Sequence, residues 1–292
     1  MLQYKKIIVA LACSMVTGQI LALQTLNDDL MAHITGQDGL TIQLQTDEIT
    51  IEKVLWHDND GLQPVLGNSH GVLVPQAGAL VLNNIKITPD NYLSPFAQLR
   101  MDVDGGAGVQ AAMLNIGMDL AAMNISVESI GVGQSESEPT LGVNTTARRG
   151  VSRERKILDG FVISLGETNM NIQLGHLPNG NFMTVYGKIE DGISISNLNV
   201  IADGASASAF AVKEMRIKDA GIGNDDLSFN GVGVNIHAQG GIIITPSAGK
   251  IIDIGMSEFS FGGNSTNTAS AIGNVFMSGL VLGGQKISII GH

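Results

Sequence analysis

The chain is poor in almost everything that cross-linked, catalytic or membrane-spanning proteins depend on. It has one cysteine, Cys13, in 292 residues, so no disulfide can join two parts of it. Aromatic residues make up 4%, with a single tryptophan. That is too few for the girdles of a transmembrane barrel or a stacking platform beneath single-stranded nucleic acid. Seven prolines against 37 glycines exclude a polyproline or collagen-like rod and point to tight turns. Charged residues are also scarce, at 15%, while 44% are hydrophobic; such a chain is too apolar to stay disordered. The formal net charge of −11 favours solubility and argues against nucleic acid as a partner.

Reactive constellations are missing too. The six histidines (His33, His57, His70, His176, His237, His292) include no pair four apart, as a zinc-binding helix requires. His57 and His70 could meet only across the intervening loop. Gly204–Ser208 begins like a nucleophile elbow and fails at its final glycine. Gly231-Val232-Gly233 lies in a strand pattern without the helix and lysine of a phosphate cradle. Asp58-Asn59-Asp60-Gly61 offers two carboxylates, Asp58 and Asp60, as a weak calcium candidate. The twelfth loop position is Ser69, where a bidentate acid is needed. The competing reading is a hairpin turn built from residues that tolerate positive φ. Gly223-Asn224-Asp225-Asp226 is a weaker copy of the same pattern. This inventory leads to a protein that is not an enzyme, with no catalytic residue and no cofactor.

What is present begins with a secretion signature. Lys5 and Lys6 precede the apolar run Ile7–Val16, and Ala22 offers a small residue before a cut. The run is too short to span a bilayer, so residues 1–22 read as a signal peptide processed after Ala22. Removing Lys5 and Lys6 leaves fourteen of the sixteen basic residues and a charge of −13.

Next comes a hinge, Leu23–Ile42. Leu26, Leu30 and Ile34 recur every fourth residue, which places one apolar stripe on a short helix. Asn27, Asp28 and Asp29 supply a cap and first-turn acids, and Gly36 a stop. A helix of two turns needs a dock. It serves either as a plug over the first sheet edge or as a recognition segment for export or assembly. From Leu40 the period changes to two, through Ile42 and Leu44, and a half-buried strand begins.

The remainder reads as three stretches. Residues 23–132 form an N-terminal β region in which Ile49, Ile51 and Leu55 continue the first sheet. There Met113–Val132 alternates apolar and polar residues, with breaks at Gly117 and Gly131. Residues 133–156 are polar, acidic at the start and basic at the end. They carry Arg148, Arg149, Arg153, Arg155 and Lys156, and read as a linker or loop that is either simply solvated or a patch for anionic surfaces. From Ile157 to residue 292, units such as LDGFVISLG, FNGVGVNIHAQG and IDIGMSEFSFGG place alternating apolar residues before glycine. Each unit has one face too apolar to stand alone. The expected fold is all-β: an elongated roll or solenoid-like stack of glycine-punctuated strands, or else a β-sandwich, after a short N-terminal helix. Parallel and antiparallel pairing both remain open.

Three segments also carry a resemblance. LQTLNDDLMAHITGQDGLTI (Leu23–Ile42), VLWHDNDGL (Val54–Leu62) and GALVLNNIKI (Gly78–Ile87) together resemble a Gram-negative family of Fil-type pilus assembly proteins. The likeness covers about the first third of the chain. It implies a surface or pilus-linked role and assigns no chemistry to any residue. Two expectations follow. One is an exported structural or assembly component of a surface appendage, whose partners are other subunits or itself. The other is a periplasmic or surface binding module, such as an adhesin, presenting loops like Gly133–Lys156. The contact candidates are Leu26, Leu30, Ile34, Arg148 and Arg149.

Overall fold

The computed structural model describes residues 39–290 apart from 62–75, 92–94, 106–111, 138–148, 176–179, 202–207, 222, 224 and 263–270. The chain divides into two units, Met1–Gly39 and Leu40–His292. The expected signal peptide, and the helix carrying Leu26, Leu30 and Ile34, lie outside the described residues. The second unit is all-β and is laid down by alternation between two sheets.

β1 (Leu40–Leu44) opens the first sheet. β2 (Ile49–Asp58) and β3 (Gly78–Pro89) open the second, so Ile49 and Ile51 leave the first sheet and do not continue it. β4 (Ala97–Asp104) and β5 (Met113–Leu120) return to the first sheet. β6 (Met123–Ser135), β7 (Val151–Leu158) and β8 (Phe161–Leu165) belong to the second. The exchange repeats with β9 (Thr168–Gly175) and β10 (Met183–Ile189), then β11 (Ile193–Ile201) and β12 (Ser208–Asp219). It closes with β13 (Leu227–Ile236) and β14 (Ile242–Thr245), β15 (Ile251–Phe261) and β16 (Ala271–Val281), and finally β17 (Ile287–Ile289).

The first sheet runs β1-β4-β5-β9-β10-β13-β14-β17. The second runs β2-β3-β6-β7-β11-β12-β15-β16, with β8 sharing the place of β7 between β6 and β11. Position across each sheet therefore tracks position along the chain, and every pairing is antiparallel. New strands join neighbours already laid down nearby in the chain, the growth rule of a stack without a strict repeat.

Alternation along each strand becomes continuous ranks across each sheet. In the first sheet, Leu40, Met101, Ile116, Ile172, Val185 and Val232 lie in one rank. One residue along, Thr41, Arg100, Gly117, Asn171, Tyr186 and Asn230 form the opposite face. In the second sheet, Ile49, Ile87, Ile125, Ile163, Ile195, Met215, Met256 and Val275 run from one edge to the other. The apolar faces meet where Ile189 and Leu227 of the first sheet pack with Ile252 of the second. Another buried cluster gathers Ile85, Val127 and Phe161.

Two local features depart from simple alternation. Met113–Val132 is interrupted at Ala121-Ala122 and not at its glycines, because there the chain crosses between sheets. Ala121 N–H donates to Phe96 O at 3.1 Å, and Ala122 O accepts from Asp90 N–H at 2.8 Å. Gly117 and Gly131 sit inside strands. The second departure corrects the pleat. Leu82 and Ile85 pack in the same cluster although an odd spacing should set them on opposite faces; Asn84 between them has φ 44°. Asn197 (φ 64°) does the same between Ile195 and Leu198. The stretch 133–156 likewise supplies strand at both ends, since β6 reaches Ser135 and β7 begins at Val151 and pairs with it.

The sheets are also joined by a polar corner. Asp219, at the end of β12, accepts the backbone N–H of Ser228 on β13 at 3.1 Å and is bridged by the Lys250 ammonium. The Lys250 ammonium also donates to the Ser228 carbonyl. The Lys250 and Asp219 side chains are only 11% and 13% exposed. Burial pushes the Asp219 carboxyl up, but hydrogen bonds from Lys250 and Ser228 outweigh it and hold the group below its ordinary range. This contribution is therefore present above the unfolded value near 3.8 and disappears as pH falls through the folded one. Asp219→Asn should cost roughly 3 kcal/mol in urea unfolding at pH 7 by orphaning Lys250. The difference from the parent should narrow below about pH 4; a gap that stays constant down to pH 2 would show that the pair adds nothing.

Gly187 gives a second test. It lies in a paired strand at φ 145°, and an added Cβ would stand 2.1 Å from Asn169 O. Gly187→Ala should destabilise by about 2 kcal/mol or more, read as a fall in melting temperature. An unchanged melting temperature would mean that β9 and β10 approach less closely.

Candidate interaction surface

Each sheet stops at strands whose outer flank has no strand beside it among the described residues: β1 and β17 in the first sheet, β2 and β16 in the second. Because both sheets follow chain order, β1 and β2 share one end and β16 and β17 the other. Free strand edges present unpaired N–H and C=O groups, and proteins usually blunt them with charge, proline or bulges. The eleven residues of β16, AIGNVFMSGLV, contain neither charge nor proline, and ten of them are exposed. Phe276 is 76% exposed, and its ring lies against Gly255 on the outer face. From residue 271 to 290, Lys286 is the single charged residue.

Bulges are present at this edge, and its own hairpin closes them. Asp253 Oδ1 accepts from Ser278 Oγ at 2.9 Å and Gly279 N–H at 2.8 Å. The Gly279 N–H and then the Ser278 hydroxyl hold this carboxyl below its usual range. Asn274 Oδ1 accepts from Glu258 N–H at 3.0 Å. Between these bulges Val275, Phe276 and Met277 stay in regular register with Met256, Gly255 and Ile254. An uncharged stretch in regular register is left in the middle.

The opposite end differs in charge. β1, LTIQL, is uncharged and exposed throughout. Residues 46–60 carry Asp47, Glu48, Glu52, Asp58 and Asp60 against Lys53, and Trp56 is 75% exposed. Glu48 is held by Lys86 at 2.6 Å.

The residues singled out in the sequence fall elsewhere. Ala22, Leu26, Leu30, Ile34, Arg148 and His70 lie outside the described residues. Arg149 Nε donates to Glu136 O at 2.6 Å, and its guanidinium reaches Asn59 in the turn after β2. Asp58 Oδ1 accepts the backbone N–H groups of Asp60 and Gly61, each at 3.3 Å. Gly61 has φ 69°, and an added Cβ would stand 2.3 Å from Gln76 O. The segment thus forms a side-chain-capped glycine turn. Among the described residues no group of three or more His, Cys, Asp or Glu could hold a metal ion. Asp225 pairs with Lys218 at 2.6 Å and Asp226 with Lys188 at 3.3 Å. His57 Nδ1 lies 2.8 Å from Ser135 Oγ.

Residues 1–127 match a family of unknown function (DUF6160). The match covers less than half the chain and ends in β6. No curated protein and no solved structure matches. No helix of the described residues is long and apolar enough to cross a membrane, a statement that leaves strands aside.

The uncharged edge was not singled out in the sequence. Its signal is a full-length strand without charge, and that signal acquires meaning only once the strand order makes β16 terminal. Ile252 on the adjacent strand is 7% exposed in the core cluster. Ile252→Lys should therefore cost about 3 kcal/mol or more in urea unfolding. Phe276→Lys should change stability by less than about 1 kcal/mol. Equal losses would show that the outer face of β16 is already covered in the isolated chain.

Proposed function

We propose that this chain is a non-enzymatic, exported structural or assembly component of a bacterial surface appendage, joined to neighbouring subunits through its open sheet edges. The observation that carries the reading is β16: eleven uncharged residues, ten of them exposed, on a terminal strand, with β17 ending the other sheet beside it. Backbone groups on such an edge supply affinity for an added strand, and alternate side chains supply selectivity. The secretion-like residues 1–22 and the resemblance of Leu23–Ile42 to pilus assembly proteins point the same way. The location that fits is the periplasm or the outer surface, with other appendage subunits as partners. The competing role, a binding module presenting the 133–156 stretch, draws less support because Arg149 already donates to the Glu136 carbonyl and to Asn59.

Charging the edge tests this. In producing cells, Ile272→Lys/Phe276→Lys should be exported and folded like the parent but should no longer fractionate with the appendage, and appendages should be fewer or shorter by imaging. Normal appendages together with unchanged fractionation would refute the role. A parent protein that is strictly monomeric and never fractionates with an appendage subunit would favour the binding module.

A further inference from the structure

We infer that the occupant of the open edges is a second copy of this chain, added head to tail, so that β16 and β17 of one molecule extend onto β2 and β1 of the next. This rests on the structural role proposed above and names its partner.

Strand direction carries the argument. Each sheet, followed from edge to edge, crosses seven pairings, all antiparallel. An odd number of reversals leaves the two edge strands of each sheet pointing in opposite directions. A copy displaced along the sheets therefore meets the first antiparallel at both seams, β17 against β1 and β16 against β2. A single even count would have forced one seam to be parallel. Both sheets satisfy the condition together, and neither needs to change its ladder type.

Register and charge agree with direction. The rank that starts at Ile49 on β2 ends at Val275 on β16. Continued by one strand, it sets Val275 opposite Ile49 of the next copy, Asn274 opposite Thr50 and Phe276 opposite Glu48. Apolar residues then meet in the inward-facing rank, as they do throughout the sheet. The end bearing Lys286 meets the end bearing five acids and one lysine. A twofold contact of β2 with β2 would instead place acidic ends together, and one of β16 with β16 would leave β1 and β2 open. A head-to-tail contact uses both ends once and, where copies are displaced along the sheets, repeats without closing, which is the geometry of a filament. The right-handed twist of the sheets would make that filament helical.

Disulfide trapping in the full chain tests the inference, with Cys13→Ser as the background. Thr50→Cys and Asn274→Cys lie at opposite edges of the second sheet, seven strand spacings or about 34 Å apart, so one molecule cannot bridge them. Mixed under mild oxidation, the two single variants should give a disulfide dimer that neither gives alone. The double variant should give a ladder on a non-reducing gel. Glu48→Cys with Phe276→Cys forms a second in-register pair, for use if the first perturbs the Asn274 bulge. Glu48→Cys with Asn274→Cys, out of register, should cross-link several-fold less. Dimers from Asn274→Cys alone would overturn the inference in favour of a twofold contact. So would the absence of cross-links from both in-register pairs in variants that melt like the parent. If cross-links are absent while the edge-charged variant still loses the appendage, the structural role stands and the partner is a different chain. If both fail, the role falls as well.

Discussion

The structure depends on the contact between two apolar sheet faces. With a single cysteine at position 13 and no metal cluster among the described residues, the sheets are held by apolar side chains that face each other and by the Asp219–Lys250 corner. Ile189 and Leu227 meet Ile252, and a second buried cluster of Ile85, Val127 and Phe161 forms within the second sheet. Apolar burial is non-directional and scales with the area removed from water. It therefore favours any arrangement that keeps the two faces opposed. What selects this arrangement is the chain itself, which crosses between the sheets after each short excursion and so builds both at the same pace.

That pacing explains which features were legible. Strand content, glycine turns and two-faced ribbons could be read because each is local: a period of two at Leu40–Leu44 needs only five residues to show itself. Crossing points were not legible. Ala121-Ala122 looks like an ordinary part of a strand, and only the Phe96 carbonyl and Asp90 amide on the neighbouring crossing reveal it as a corner. For the same reason Ile49 and Ile51 gave no sign of having left the sheet of Leu40. The interaction surface was hidden more deeply, since β16 differs from a central strand by its place in the order and not by its apolar content.

The left-handed residues mark a further limit of simple alternation. A regular strand of ten or more residues inverts its apolar face if a single residue is added. Asn84 and Asn197 absorb that inversion, so that Leu82 joins Ile85, and Leu198 joins Ile195, on the same side. Asparagine tolerates this conformation better than most residues. Glu258, also left-handed, is braced by Lys213 and by Asn274. Asparagine and glutamate inside apolar strands thus look like polar interruptions in the sequence and act as pleat corrections in the fold.

A sheet built by adding strands in chain order has no internal reason to stop. A closed barrel has no edge, and a strand interleaved by a crossover is flanked on both sides, but here the first and last of the described strands are terminal. Termination must then come from something placed at the ends: charge, a covering segment or another molecule. The β2 end has charge in quantity, from Asp47 to Asp60. The β16 end has one lysine and a row of exposed apolar side chains. If both ends were meant to remain free, the same blunting would be expected at each. The asymmetry instead gives the two ends different chemistry on edge strands that run in opposite directions, and that is the condition under which unlike ends join while like ends do not.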